Sequence, residues 1–114
     1  MAIQANTTFL NSAATTNATS VKASSGVLVS VQVSNINAAA RFLKLYNKAS
    51  APTVGTDVPV LTIPIPAGSV VSPAINANGV TFATGIAFAI TAAAADSDTT
   101  VVAANEIKVA ISYL

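Results

Sequence analysis

The sequence predicts an all-β fold: a single-domain antiparallel β-sandwich of the jelly-roll kind with an extended N-terminal arm. Three observations carry this. Apolar residues recur with period 2 in "GVLVSVQVSN" (26–35) and in "NEIKVAISYL" (105–114), the alternation of a strand with one covered face. Gly, Pro, Asn and Asp interrupt the chain every roughly 8 to 15 residues, as turn chemistry requires in an all-β domain. Roughly six to eight short strands fit between those interruptions.

Composition narrows the function. Charged residues make up 8% of the 114, where soluble domains carry about 25%; the apolar share is 53% and the mean hydropathy +0.66. Solubility therefore rests on Ser, Thr and Asn. A net charge of +1 from scattered basic residues makes no field for a polyanion, so nucleic acid is not an expected partner. No cysteine is present, which excludes disulfides and thiolate sites. The opening "MAIQANTTF" lacks the regions of a secretory signal. The longest apolar run, "GIAFAITAAAA" (85–95), falls far short of the ~20 residues of a membrane-spanning helix, so no membrane partner is expected.

In chain order, residues 5–20 are small and polar, with Phe9 and Leu10 as the anchors; they read as an extended arm or edge segment, giving an arm at 1–20 and a sandwich at 21–114. Residues 20–23 form a strand that Gly26 turns into the next. There Val27, Val29, Val31 and Val33 share one face, and Leu28, Ser30, Gln32 and Ser34 the other. "SNINAAA" (34–40) is a turn cluster able to begin a short helix.

"RFLKLYN" (41–47) sets Arg41, Leu43 and Leu45 against Phe42, Lys44 and Tyr46. Both faces mix bulk with a cation, so the Lys44 stem is expected along apolar surface with its ammonium reaching water or a carboxylate. The strand ends at a turn built on Pro52, Gly55 and Asp57. "VPVLTIPIPAG" (58–68) is β-branched but carries Pro59, Pro64 and Pro66, the mark of an edge strand or extended arm. Asn78-Gly79 predicts a type I′ hairpin after a strand broken by Pro73. Beyond it, Val80, Phe82, Ile86, Phe88 and Ile90 form a bulky face, and Ala83, Gly85, Ala87 and Ala89 a smooth one open to close approach by a sheet, loop or subunit. Residues 89–98 read as a strand end and loop. The last strand places Ile107, Val109, Ile111 and Tyr113 inward.

Chemistry is nearly excluded. Without His or Cys there is no Ser/His/Asp triad, Cys/His pair or His-based zinc site, and no phosphate-cradling glycine loop occurs. Four carboxylates remain, Asp57, Asp96, Asp98 and Glu106, in no paired acid/base motif. The "DSD" at 96–98 fails the EF-hand pattern at Val101 and Ile107 and reads as a solvated turn. Asn6-Thr7-Thr8 and Asn17-Ala18-Thr19 match the glycosylation pattern as chance does in an Asn/Thr-rich chain. Phe82, Phe88 and Tyr113 read as core, and Tyr46, placed beside Lys44 and Lys48, as a candidate for surface recognition. No catalytic, cofactor-binding or metal-binding residue is expected, and no cofactor.

Two longer stretches, "AARFLKLYNKASAPTVGTDVPVLTIPIPAG" (39–68) and "GVTFATGIAFAITAAAADSDTTVVAANEIKVAISYL" (79–114), resemble small structural proteins of the virions of tailed bacteriophages. The resemblance implies a β-sandwich virion component without catalytic residues. It implies a head decoration or cement protein on the capsid exterior, made in the host cytoplasm. Its partners would be the major capsid protein and further copies of itself, a trimer being one arrangement. Phe9, Leu10, Tyr46, Pro59, Pro64 and Pro66 are the expected contact residues. The alternative expectation is a tail or fibre module that binds a receptor or glycan through 49–59 and 92–100.

Overall fold

A computed structural model describes residues 4–114. The strands are β1 (Asn6–Asn11), β2 (Thr19–Lys22), β3 (Gly26–Asn35), β4 (Arg41–Asn47), β5 (Leu61–Ile65), β6 (Ser69–Val71), β7 (Val80–Phe82), β8 (Ile86–Thr91) and β9 (Ile107–Tyr113). There is no helix among the described residues. Sheet A runs β1-β9-β3-β6, with β7 also on β3, and sheet B runs β2-β8-β4-β5. All the pairings are antiparallel.

The order has a simple logic. β4 pairs β5, β3 pairs both β6 and β7, β2 pairs β8 and β1 pairs β9, so the chain is one long hairpin of nested pairs. Folding that hairpin over adds the ladders β3·β9 and β4·β8 and divides it into two sheets, the topology of a jelly roll. The core lies between the sheets: Val31, Val33, Ile107, Val109 and Ile111 from sheet A meet Leu43, Leu45, Ile63, Ile65, Ile86, Phe88 and Ile90 from sheet B. Every one of these is β-branched, Leu or Phe, the side chains that pack best on a pleated surface.

Several local expectations change. Residues 5–20 are no free arm: β1 adds to sheet A along its whole length and β2 to sheet B. Between them Thr16 accepts from Ile90 N–H and Ser12 from Asn105 N–H. β1 and β2 are edge strands of the two sheets, the second of the two readings of 5–20; Met1–Ile3 lie outside the described residues. In β3 the inward phase reverses. A register irregularity between Leu28 and Ser30 turns Leu28 into the core at 1% exposure and leaves Val29 at 37%, because an extra residue in one strand rotates everything before it to the other face.

No hairpin forms at Asn78-Gly79. Gly79 has φ 79°, but Asn78 is not among the residues with positive φ, so the type I′ geometry is missing. Residues 76–79 instead make a turn closed by Gly79 N–H to Asn76 C=O at 2.8 Å. β6 and β7 do not pair with each other; both lie along the same side of β3, as one strand interrupted at 72–79, where Pro73 cannot donate. The predicted strand across 80–90 also divides, β7 staying in sheet A and β8 crossing to sheet B. Val80 is consequently 41% exposed instead of core. The cluster at 34–40 makes bends held by Asn35 and Asn37 side chains, whose bonds to nearby backbone compete with helix.

Gly85 makes the crossing between sheets possible. A Cβ there would sit 2.5 Å from Lys48 O, 2.7 Å from Ala49 Cα and 2.7 Å from Lys22 O, all backbone atoms that cannot swing aside. Gly85→Ala is expected to cost about 1–3 kcal/mol, read as a lower urea midpoint at unchanged m-value.

Candidate functional site

Two of the chain's charged side chains, Lys44 and Glu106, are buried. Lys44 projects from the outer face of β4, yet it is fully buried and donates to Ala95 C=O at 2.6 Å. The cover is the chain's own: Val54 packs on Tyr46, Ala87 and Ala89, and the 92–100 loop closes over the lysine. The two loops meet at Gly55, whose φ of 90° and missing side chain admit Thr99. The smooth face of β8 is thus filled by loops of the same molecule.

Burial lowers the Lys44 pKa, and nearby Asp98 and Asp96 oppose the fall. Tyr46, at 1% exposure, is no surface recognition residue; this corrects its expected role, because the face it occupies is roofed over. Its hydroxyl is buried without a hydrogen-bond partner among the described residues. Burial raises its pKa, with Asp57 and Asp96 adding to the rise.

A second polar knot joins the 35–41 turn to the start of β9. Glu106 takes Arg41 Nε at 2.8 Å and Asn37 Nδ2 at 2.6 Å. Burial acts to raise its pKa, but bonds from Arg41, the Ala103 backbone and Asn37 prevail, leaving it below the usual carboxylate value. Asn35 ties the same turn to Ile65 and Ala39 C=O, and Ser12 Oγ accepts from Glu106 and Ile107 N–H while donating to Ala103 C=O. No spacing in the sequence announces these contacts, which join residues as far apart as 12 and 107.

The other carboxylates serve loops. Asp57 binds Lys48 and Thr53 N–H, and its pKa is lowered first by the Lys48 bond. Asp98 accepts from Ala93 N–H, Thr100 N–H and the Thr100 hydroxyl. No cluster of three or more metal-ligating side chains occurs among the described residues. Asp96 and Lys108 alone among the described ionic side chains lack a polar contact within the chain.

What remains for recognition is an exterior with few charges and several exposed apolar residues. Phe9 is 78% exposed on the outer face of sheet A, above a groove of about 710 Å³ bordered by Asn11, Gln32, Ser34, Lys108 and Ala110. Leu10 points the other way, against the core. Along the β5 edge, Val58, Val60 and Leu61 are exposed together with Pro64 and Pro66, while Pro59 is half-buried. Phe9 and the proline segment are therefore accessible but on different elements, and nothing joins them into one site. Comparison with protein-family models, with curated proteins and with solved structures gives no match.

Two titrations follow from the buried charges. The folded Glu106 pKa lies below the unfolded value of about 4.3, so its stabilisation is full above that value and is lost as pH falls through the folded pKa. Glu106→Gln is expected to cost about 2 kcal/mol at pH 7 and to flatten the acid limb of a melting-temperature profile. Lys44 behaves oppositely: its folded pKa lies below the unfolded value of about 10.4, the unfolded chain binds more protons in between, and stability rises with pH across that window. Lys44→Met should remove that rise and leave neutral-pH stability unchanged or up to about 2 kcal/mol higher, as measured by urea unfolding at several pH values.

Proposed function

We propose that this chain is a structural protein of a bacteriophage virion, a decoration or cement protein that binds the major capsid lattice from outside. The observation that carries the reading is the disposition of charge: most of an ionic complement of 8% is engaged in polar contacts within the chain, while Phe9, Ile36, Val58, Val60 and Val70 stand 60% or more exposed. Apolar exterior of this kind is what a protein neighbour covers. The sequence resemblance to virion proteins points the same way, and jelly rolls recur in viral shells, although a fold by itself assigns no function. Many weak contacts repeated over a lattice then supply the avidity.

Exposed Val58 and Val60 give the test. In particles purified from producing cells, the protein is expected at on the order of hundreds of copies; a few dozen or fewer would favour a tail or receptor-binding module instead. Val58→Lys with Val60→Lys is expected to leave folding within about 0.5 kcal/mol of wild type and to lower particle occupancy about tenfold. Full occupancy by this variant would remove the β5 edge from the contact surface.

A further inference from the structure

The free edges of the two sheets are not alike. At the β5 edge, Pro64 sits in the strand, with Pro59 and Pro66 flanking it. β2 is short, has a register irregularity between Ser20 and Lys22, and ends in a lysine. β6 and β7 are three residues each and separated. Proline, bulges, lysine and short length are the devices that stop a strand edge from pairing with another chain. β1, "NTTFLN", has none of them: it carries no charge and no proline and holds unbroken register with β9 from Asn6 to Asn11.

Hydrogen-bond parity fixes what that edge offers. Ser12 N–H donates to Ile107 C=O, so by strand alternation Leu10, Thr8 and Asn6 turn their backbone groups toward β9. Thr7, Phe9 and Asn11 then present theirs to the open side. On the outer face the same strand carries the 78% exposed Phe9 ring, next to small Ala110, its partner in β9. The row of free donors and acceptors is its own complement when reversed.

We propose that two copies of this chain pair through β1, antiparallel about a twofold axis at Phe9, so that sheet A of one continues into sheet A of the other. Phe9 then faces Phe9 of the second copy, and Thr7 faces Asn11, in hydrogen-bonded pairs. The two rings lie side by side on one face, the cross-strand aromatic arrangement that stabilises antiparallel ladders. No charge opposes a like charge across this axis, and the contact is isologous, so it closes at two copies. A contact made by one short strand belongs to the weak class of interfaces. The pairing does not depend on the virion reading and is tested without particles.

Sedimentation equilibrium of the full chain from about 1 μM to about 1 mM is expected to show passage from the 11.3 kDa chain mass to twice that mass. Phe9→Lys should move the midpoint at least about tenfold higher in concentration. Thr7→Pro, which removes an outward N–H, should do the same with the ring retained. Circular dichroism spectra like wild type would show that both variants fold. Because the chain has no cysteine, Phe9→Cys makes a protein whose sole thiol reports the axis: air oxidation should give a covalent dimer, whereas Val58→Cys, exposed elsewhere, should give far less. A wild-type protein that stays at single-chain mass at about 1 mM, a midpoint unmoved in both folded variants, or equal crosslinking of the two cysteine variants would each overturn the proposal.

Discussion

The fold depends on the closure of a nested hairpin by the β3·β9 ladder. This is the longest register in the molecule, joining Leu28 to Tyr113 and Asn35 to Ile107, and it forms only after the intervening chain has turned back on itself. With β9 in place, β1 has its partner, and the inner face of sheet A acquires Ile107, Val109 and Ile111 opposite Phe88 and Ile90. Long-range antiparallel pairing of this kind spends loop entropy before side-chain burial offsets it. The buried knot of Ser12, Arg41 and Glu106 lies just before β9 begins, where it fixes the register of the closing strand.

The second constraint is the placement of charge. With so few ionic groups, a surface scattering would have been the ordinary outcome. Most of them follow it, but Lys44 lies wholly buried beneath two loops and Glu106 is 6% exposed at the sandwich end. A buried lysine contributes little net stability, since removing an ammonium from water costs about what its partners return. Its single short bond to Ala95 C=O does define where the 92–100 loop sits. The apolar side of the same arrangement is Val54 on Tyr46 and the β8 alanines, so one loop is held by packing and the other by a cation.

Legibility in the sequence followed the range of the interactions. The all-β class, the bulky face of β8, the inward face of β9 and the loop at 92–100 follow from alternation and turn residues, which are local; β4, with bulk and a cation on both faces, does not declare its inward side. The role of 6–11 does not: "NTTFLN" has little apolar content, and its reason for being a strand is a partner about a hundred residues on. The irregularity near Val29 is equally silent, because a valine at an added position looks like a valine in phase. Asn78-Gly79 misled for a physical reason: the dipeptide permits a tight hairpin, but β3 offers both flanking segments a better edge to pair with. Tyr46 misled because nothing near it in sequence states that two distant loops will cover it. Of the residues expected to make contacts, Phe9, Pro64 and Pro66 are accessible.

A protein with a net charge of +1 has almost no electrostatic repulsion to keep its copies apart, and with exposed apolar residues it would be expected to associate without direction. What gives association a direction here is the inequality of the sheet edges. Three of them carry the features that refuse a neighbouring strand, so indefinite edge-to-edge growth is blocked on those sides. The remaining edge is self-complementary, and a self-complementary contact is used up when two copies meet. The backbone groups of β1 can then find a partner in kind without any change at the other edges. In this molecule the direction of association is therefore a matter of which strand edges carry proline, lysine and breaks, more than of charge.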